Sequence, residues 1–463
     1  MTHPPSISVI IVNFNGAHYL PACLDALHNQ SYPSDRFEVI VSDNGSCDDS
    51  LNLLKNEYPW VKILDNGKNL GFASGNNVAI QATEGDFVVL LNNDTAPYSD
   101  WLVSLVDVAL DDPKAGMVTG HLQLFYDQLE LELQTEMFMP TEDGRELGVQ
   151  VFEVNSSAPG GIVQYLDGFH GFEQNANGRK FRWTKEHAIL GVPVPPGEGD
   201  WMLEIFLAAS RPDNRTVPVQ VSVQHSLLAD LTVTGMEPQR YQIKIAAQTR
   251  SLAFPLVQNA GSIVFRDGSG RDRGTYVQNF EAFYEIDRGQ YREVEEVFAG
   301  CGATLLIRRE LLKDAGLLDD DFFMYYEDTD LSWRARLRGW KVLYTPKARV
   351  RHIHCGTSVE WSPLFQHLTQ RNRLAMVFKN GSSRQILWIW ANYFKQVKDE
   401  LWDTLWAYLR RSTDGLQAYQ RVRQHAGVIY QLILWLPDLF RKRRAIQATR
   451  RIKPSELETW FVE

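Results

Sequence analysis

The sequence predicts an α/β protein whose parallel sheet is interrupted by an antiparallel β-sandwich and followed by a helical region. Three observations predict it. Over residues 6–118, apolar runs of strand length alternate with amphipathic runs of helix length, as in βαβ units whose sheet is covered on both faces. From about 123 to 256, apolar residues recur with period two, and Gly, Pro, Asn and Asp separate the runs. Beyond 380, apolar residues recur at steps of three and four, the helical period.

In chain order, SVIIVNF reads as the first strand and AHYLPACLDALHNQ as a helix with Leu20, Leu24 and Leu27 on one face. FEVIVSD is a second strand, and CDDSLNLLKNEY is a helix with Asp48 or Asp49 as its cap. VKILDN, SGNNVAIQA and FVVLLNN follow as strand, helix and strand. The insert holds LELELQTEM, GVQVFEV, WMLEIFLAA, VPVQVSVQH and RYQIKIAA, short strands at the spacing of a sandwich. Mixed α/β character returns over 257–380. There RRELLKDAG and DTDLSWRARLRG are short helices closed by glycine, and KVLYTP and ARVRHIH are strand-like. In the last stretch, Leu387, Trp390, Phe394, Val397, Leu401, Leu405 and Tyr408 form one apolar stripe, and RKRRAIQATRRIK (441–453) concentrates basic residues. The expected domains are 1–122 and 257–380 for the two parts of the α/β domain, 123–256 for the insert, and 381–463 for the helical region.

Composition narrows the function classes. A net charge of −10 over 463 residues argues against a general nucleic-acid binder, whose footprint would be basic. Cys23, Cys47, Cys301 and Cys355 are scattered without a CxxC pair, so neither a disulfide scaffold nor a zinc site is expected. Reduced thiols fit a cytoplasmic protein. The chain enters its first strand with no basic segment and apolar core before it, so no signal peptide is expected. The longest apolar stretches, near 386–394 and 427–440, fall short of the ~20 residues of a membrane span.

Chemistry concentrates at the strand ends. In a parallel α/β sheet, ligands bind beyond the carboxyl ends of the strands. Those ends carry Asn13 and Asn15, Asp43, Asn66 to Asn69, and Asn92 to Asp94. A carboxylate at such an exit, Asp94, can hold Mg²⁺ or Mn²⁺, hard cations that keep room for phosphates. The same Asn-Asp-Thr-x-Pro stretch also reads as an Asx-turn. Asp43 can accept the imide N–H of a uracil or thymine ring. Glu327, Asp328 and Asp330 cluster at a helix start, where one acid would serve as a cap and offset the dipole. Three acids exceed that need, and FFMYY before them supplies an apolar wall that raises a carboxylate's pKa toward that of a useful base. His352 and His354, two apart on one strand face, are candidate metal or phosphate ligands.

Taken together, SVIIVNFNG, VIVSDNGSCDDS, NLGFASGNN, VVLLNNDT and FFMYYEDTDLSWRARLRGW resemble a family-2 glycosyltransferase, of the rhamnosyltransferase-like and galactofuranosyltransferase-like kind. The resemblance covers residues 6–118 and 257–380. It implies a GT-A, Rossmann-like nucleotide-diphospho-sugar transferase fold, a nucleotide-diphosphate sugar donor, a divalent metal (Mg²⁺ or Mn²⁺) and inversion at the anomeric centre. It further implies that Asp43 reads the base and that Asn13, Asn15, Asn69, Gly71, Asn76, Asn92 and Asn93 line the donor nucleotide site. Asn92–Asp94 would be the metal motif with Asp94 as the principal ligand. The motif's first acid is here Asn92, which makes a histidine co-ligand the expectation: His352, or His354 as its alternative. Asp328 would be the catalytic base. RNR (371–373) also matches, without a clear purpose.

The insert resembles the sandwich domain of some large bacterial members, through GFHGFEQNANGRKFRW and GSGRDRG (268–274). Phe172, Trp183 and Trp201 there are candidates for stacking on sugars or for core packing. The function so implied is transfer to a glycan or lipid-linked acceptor in bacterial surface polysaccharide synthesis. The protein would be cytoplasmic, with peripheral contact at the inner face of the plasma membrane through the C-terminal region. The rivals are a sugar nucleotidyltransferase and a glycan-binding scaffold without catalysis.

Overall fold

The structure, a computed structural model, describes residues 3–140, 144–175, 177–278, 281–353, 362–409 and 415–462. Its contacts divide the chain into two compact units. One comprises Met1–Leu122, Asn259–Arg273 and Tyr291–Glu463, and the other Gln123–Gln258 and Gly274–Gln290.

The first unit opens as the expected βαβ series: β1 (Ile7–Asn13), α1 (Leu20–His28), β2 (Phe37–Asp43), α2 (Ser50–Glu57), β3 (Lys62–Asp65), α3 (Gly71–Gln81) and β4 (Phe87–Leu91). β1 pairs in parallel with β2 and β4, and β2 with β3. β1 and β4 are buried almost throughout, as central parallel strands with covered faces must be. α1 buries Leu20, Cys23, Leu24 and Leu27 in one stripe. α3 instead buries small residues, among them Ala73, Gly75 and Ala79, which let its axis come close to β1 and β2. Asp49 precedes α2 as its N-cap, while Asp48 accepts the Ser50 N–H at 3.1 Å.

The chain continues through β5 (Thr95–Pro97), α4 (Trp101–Asp111) and β6 (Ala115–Leu124). After the second unit it returns as β7 (Thr304–Arg308), antiparallel between β4 and β6. Then come α5 (Arg309–Ala315), α6 (Glu327–Leu337) and β8 (Lys341–His352), the last antiparallel to β5. Three long helices follow, α7 (Pro363–Asn380), α8 (Ser383–Leu409) and α9 (Gly415–Thr449), before a short last one, Pro454–Leu457. They pack with α6 around Trp333, Leu374, Ile389, Tyr393, Val428 and Leu432.

The apolar stripe read along α8 divides in the structure. Trp390 and Val397 join this core, but Leu387, Phe394, Leu401 and Leu405 are exposed. The Tyr408 side chain lies outside the described ones. Ile386, Ile389 and Tyr393 take the buried face instead. The helix is apolar on both sides, so period alone did not select the one that packs.

The second unit is all-β, with a continuous path of antiparallel strands from Ser226–Val233 to Gln239–Ile245. Its long strand Lys180–Pro193 pairs with Gln150–Asn155 near its start and with Gln128–Thr135 toward its end. The path thereby folds over a core of Leu131, Val151, Leu190, Leu203, Val219 and Ile243. The two ends of the unit's longer segment are tied together: Gln128 and Phe254 exchange both backbone hydrogen bonds, at 2.8 and 3.0 Å. Trp201 packs in this core and Trp183 in a smaller cluster with Phe181 and Leu147. Phe172 is exposed beneath the Arg182 guanidinium. Residues 274–290 belong to this unit by contacts, whereas the sequence reading assigned them to the α/β domain.

Candidate functional site

Sheet register assembles the first half of the site. Asn13 stands opposite Asp43, and Asp43 opposite Asp65, at the carboxyl ends of three parallel strands. Side chains tie these ends together. Asn13 Nδ2 donates to Asp43 Oδ2 at 2.9 Å, and Asn93 Nδ2 donates to Asn13 Oδ1 at 2.8 Å. A Cβ on Gly16 would lie 2.2 Å from Asn93 Nδ2, so the asparagine pair needs glycine there. Asp43 is fully buried and also accepts from Ser46, whose N–H reaches Oδ1 at 2.8 Å and whose hydroxyl reaches Oδ2 at 2.7 Å. Asn15, at φ 52°, accepts the Cys47 N–H at 2.7 Å. Asn69 accepts the Gly71 N–H at 2.9 Å, and Asn76 donates back to Phe72 O within α3. Ser46 was missed in the sequence; its only signal was its place in the turn Asp-Asn-Gly-Ser.

The β5–β8 pairing sets His352 opposite Thr95, and the Ile353 N–H donates to Asp94 O at 3.0 Å. That register brings His352 Nε2 within 3.1 Å of Asp94 Oδ1. Despite this proximity, Asp94 Oδ1 is buried with no hydrogen-bond partner. Asn92 Nδ2 lies 3.3 Å from the same His352 nitrogen. An orphaned carboxylate oxygen facing an imidazole nitrogen is a donor pair of the right chemistry for a divalent cation. The remaining positions would fall to water and phosphate, as Mg²⁺ sites commonly have it. Among the described residues no group of three or more His, Cys, Asp or Glu converges. His354 lies outside the described residues.

The second half of the site is the start of α6. Gly302, just before β7, donates its N–H to Asp328 Oδ2 at 2.8 Å, and the Thr329 N–H donates to Oδ1 at 2.6 Å. Ala303 O accepts the Asn92 N–H at 3.3 Å. One short segment, 302–303, therefore touches both Asp328 and the turn that carries Asp94. Gly302 had no sequence signal, because its role rests on a backbone N–H.

The three acids of the cluster have three different environments. Burial raises Asp328 above the ordinary carboxylate range, against the pull of its two N–H donors. Burial, then the charge of Asp328, raises Glu327 well above that range, and its Oε2 has no partner. Burial works against ionised Asp330 too, but Lys379 (2.9 Å) and Arg334 (2.8 Å) outweigh it and hold its pKa low. All three lie in the first turn of α6, where Asp328 Oδ1 takes the Thr329 N–H, but the N-cap position itself belongs to Tyr326, which makes no side-chain cap hydrogen bond. The reason is that α6 begins out of a left-handed turn, which is held by other means.

Residues 8–173 match the family model described as "Glycosyl transferase family 2", and residues 272–376 the one described as "Glycosyltransferase like family 2". The glycosyltransferase AglE of Haloferax volcanii is 30% identical over 125 residues, covering 26% of this chain and 41% of that protein. A dolichyl N-acetyl-alpha-D-glucosaminyl phosphate 3-beta-D-2,3-diacetamido-2,3-dideoxy-beta-D-glucuronosyltransferase of Methanococcus voltae is 26% identical over 136 residues, covering 27% and 42%. The chain thus spans about two fifths of the length of these relatives. Among solved structures, a mannosyltransferase of Pyrobaculum calidifontis in complex with GDP-Man and Mn²⁺ aligns over 94% of this chain and 88% of its own, at 12% identity and a TM-score of 0.40. A likeness at that level carries no argument about function.

Proposed function

As the chain belongs to glycosyltransferase family 2, we propose that it is an inverting, metal-dependent transferase. It moves a sugar from a nucleotide-diphosphate donor to a glycan or lipid-linked acceptor in bacterial surface polysaccharide synthesis. The observation that carries the reading is the pair of acidic turns joined through residues 302–303, one offering an orphaned carboxylate and the other a carboxylate of raised pKa.

Asp328 takes the proton of the acceptor hydroxyl. The freed oxygen attacks the anomeric carbon as its bond to the diphosphate breaks, and the electron pair leaves with the nucleoside diphosphate. One displacement inverts the centre, so one base suffices. Burial suits Asp328 to this role, because a base works best with a pKa near the working pH. Asn13, Asn15, Asp43, Asn69, Gly71, Asn76, Asn92 and Asn93 line the nucleotide side. A base N–H would meet Asp43 at Oδ1, which takes one hydrogen bond within the protein where Oδ2 takes two. Asp94 and His352 would hold Mg²⁺ or Mn²⁺, which when bound offsets the charge of the leaving diphosphate.

Release of free nucleoside diphosphate from a panel of nucleotide sugars, with the product's anomeric configuration read by NMR, tests the proposal. Pyrophosphate release from a nucleoside triphosphate and a sugar 1-phosphate would mean a nucleotidyltransferase. Glycan binding without turnover of any donor would mean a binding scaffold.

The membrane contact in this reading belongs to α8 rather than to the basic run at 441–453. Part of the run is engaged within the protein: Lys442 pairs with Asp319, Asp321 and Asp438, and Arg451 with Asp314. On α8, Leu387, Trp388, Phe394, Leu401, Trp402, Leu405, Trp406 and Leu409 are exposed. With Lys395 and Lys398 they fall in one sector of about 140° at 100° per residue. A Trp-rich apolar face carrying lysines suits an anionic lipid surface. No helix among the described residues is long and apolar enough to cross a membrane. Co-sedimentation with anionic vesicles at low salt, lost in Trp402→Glu/Leu405→Glu, is the expected result. Recovery of wild type in the supernatant with anionic and neutral vesicles alike would reject the contact.

A further inference from the structure

Three residues other than glycine take positive φ within four positions: Phe323 (64°), Tyr325 (71°) and Tyr326 (70°). Aromatic residues stay in that region only where their surroundings over-determine it. The Met324 N–H donates to Phe322 O at 2.7 Å, closing a γ-turn about Phe323, whose φ of 64° and ψ of −61° are those of the strained hand. Tyr326, at φ 70° and ψ −1°, is the N-cap of α6. Asp328 stands two residues further on.

What holds this turn comes from α7. Asn372 is fully buried, and its Nδ2 donates to Phe322 O (2.9 Å), Met324 O (2.9 Å) and Tyr325 O (2.8 Å). Arg371 is 6% exposed and donates to Asp321 O (3.2 Å) and Phe322 O (3.1 Å). Its Nε fixes the Asn372 amide by donating to Oδ1 at 2.9 Å, and its guanidinium stacks 4.4 Å over Trp435. From the opposite side, the N–H groups of Phe72 and Ala73 donate to Phe323 O at 2.6 and 3.2 Å. A Cβ on Gly71 would sit 2.5 Å from that same oxygen, so only glycine admits the approach. The turn is thus gripped between the donor-side start of α3 and two side chains of α7. Both side chains are turned to backbone carbonyls.

We infer that Arg371 and Asn372 are positioning residues for Asp328: they hold the left-handed turn at 323–326 and so register the base against residues 71–73 of the donor side. The inference rests on the reading of Asp328 as the transferase's base. Without the Asn372 amide, the buried carbonyl of Phe322 and the half-buried ones of Met324 and Tyr325 lose their common donor, and the turn relaxes toward ordinary φ. The first turn of α6 then rotates, and Asp328 Oδ2 moves off the Gly302 N–H. Reacting groups displaced by about 1 Å lose roughly 10²-fold in rate.

A double-mutant cycle on the full chain tests this. Asn372→Ala is made alone and in Asp328→Asn, and kcat, donor KM and the Kd of nucleoside diphosphate are measured. Alone it lowers kcat about 10–100-fold with donor KM and Kd within about two-fold, the signature of an interaction realised in the transition state. In the Asp328→Asn background it lowers kcat no further. Losses that multiply across the cycle, or nucleotide binding that fails together with kcat, would overturn the inference and leave the pair as packing elements. If Asn372→Ala does not fold, Arg371→Lys carries the same cycle, because it forfeits the two guanidinium bonds to Asp321 O and Phe322 O. A wild-type protein that releases no nucleoside diphosphate from any donor overturns the transferase reading itself, and this inference with it, before any variant is made.

Discussion

The two acidic turns of the site differ in what places them. Asn92–Asp94 ends a buried strand, and backbone ladders do the rest: β1 beside β4, and β5 beside β8, bring Asn13 and His352 to it. The turn before α6 has no ladder. Asn372, Arg371, Lys379 and Lys442 hold it from helices far along the chain. Under the proposed roles, the difference follows from the chemistry each turn would do. A metal-side carboxylate needs only an address at a polar strand end. A base of raised pKa needs burial, and burial of a backbone turn with this many polar groups requires partners for each of them.

The sharpest way to break the comparison is Asp328→Asn. Transfer is expected to fall about 10²–10⁴-fold, the usual cost of losing a general base, while melting temperature and nucleotide binding hold. Near-wild-type nucleoside diphosphate release would reduce Asp328 to a helix-start acid. Next comes Asp330→Asn, which leaves Lys379 and Arg334 short of a buried partner and should cost about 3–5 kcal/mol in urea unfolding. A loss below about 1 kcal/mol would show that the turn stands without its ion pairs. The pH dependence has a definite sign. Asp330 and Asp319 are held low, so their stabilisation is full above the unfolded-state value of about 3.9 and is lost as pH falls through their depressed folded values.

On the ladder side, Asp94→Ala should leave stability within about 1 kcal/mol. It should also abolish the Mn²⁺-dependent thermal shift, with nucleotide binding weakened about ten-fold or more, and a chelator on wild type should reproduce this. Full activity in excess chelator would reject the metal. The smallest effect belongs to Glu327→Gln. Its carboxyl is held well above the ordinary range, so wild type loses this group's share of stability as pH rises through that raised value. The glutamine variant cannot ionise, so its stability relative to wild type should rise as pH climbs from the unfolded-state value of about 4.3 through the raised folded value. Equal losses in both proteins over that window would place the titration elsewhere.

The two halves were also unequally legible. Leu91 to Asn92 is a visible boundary, because five apolar residues stop at two amides, and His352 follows from a strand pattern that ends beside it. FFMYY contains no glycine or asparagine to announce positive φ, and the residues that enforce it lie in α7. RNR was singled out in the sequence without a purpose, since a role that consists of gripping backbone leaves no chemical signature. Trp390 and Leu387 belonged to one stripe by period, yet only Trp390 packs. The strands of 274–290 are short and lie beyond a run of Arg and Gly, so they read as the returning α/β domain. The four parallel strands were all legible, because β1, β2 and β4 carry the short apolar runs VIIV, VIV and FVVLL between polar residues.

The hydrogen-bonded closure between Gln128 and Phe254 bears on how a whole unit can sit between neighbouring strands. β4 and β7 are adjacent at Leu91 and Thr304 although more than two hundred residues of chain lie between them. For a random coil, closing so long a loop costs entropy before any contact repays it. Once the unit's longer segment folds and joins its own ends, the free loop left to close is less than half as long. Entropy rises only with the logarithm of loop length, each doubling costing about 0.6 kcal/mol. An insertion whose ends meet is therefore nearly invisible to the sheet it interrupts: β4 and β7 find each other across it much as they would across an ordinary long loop.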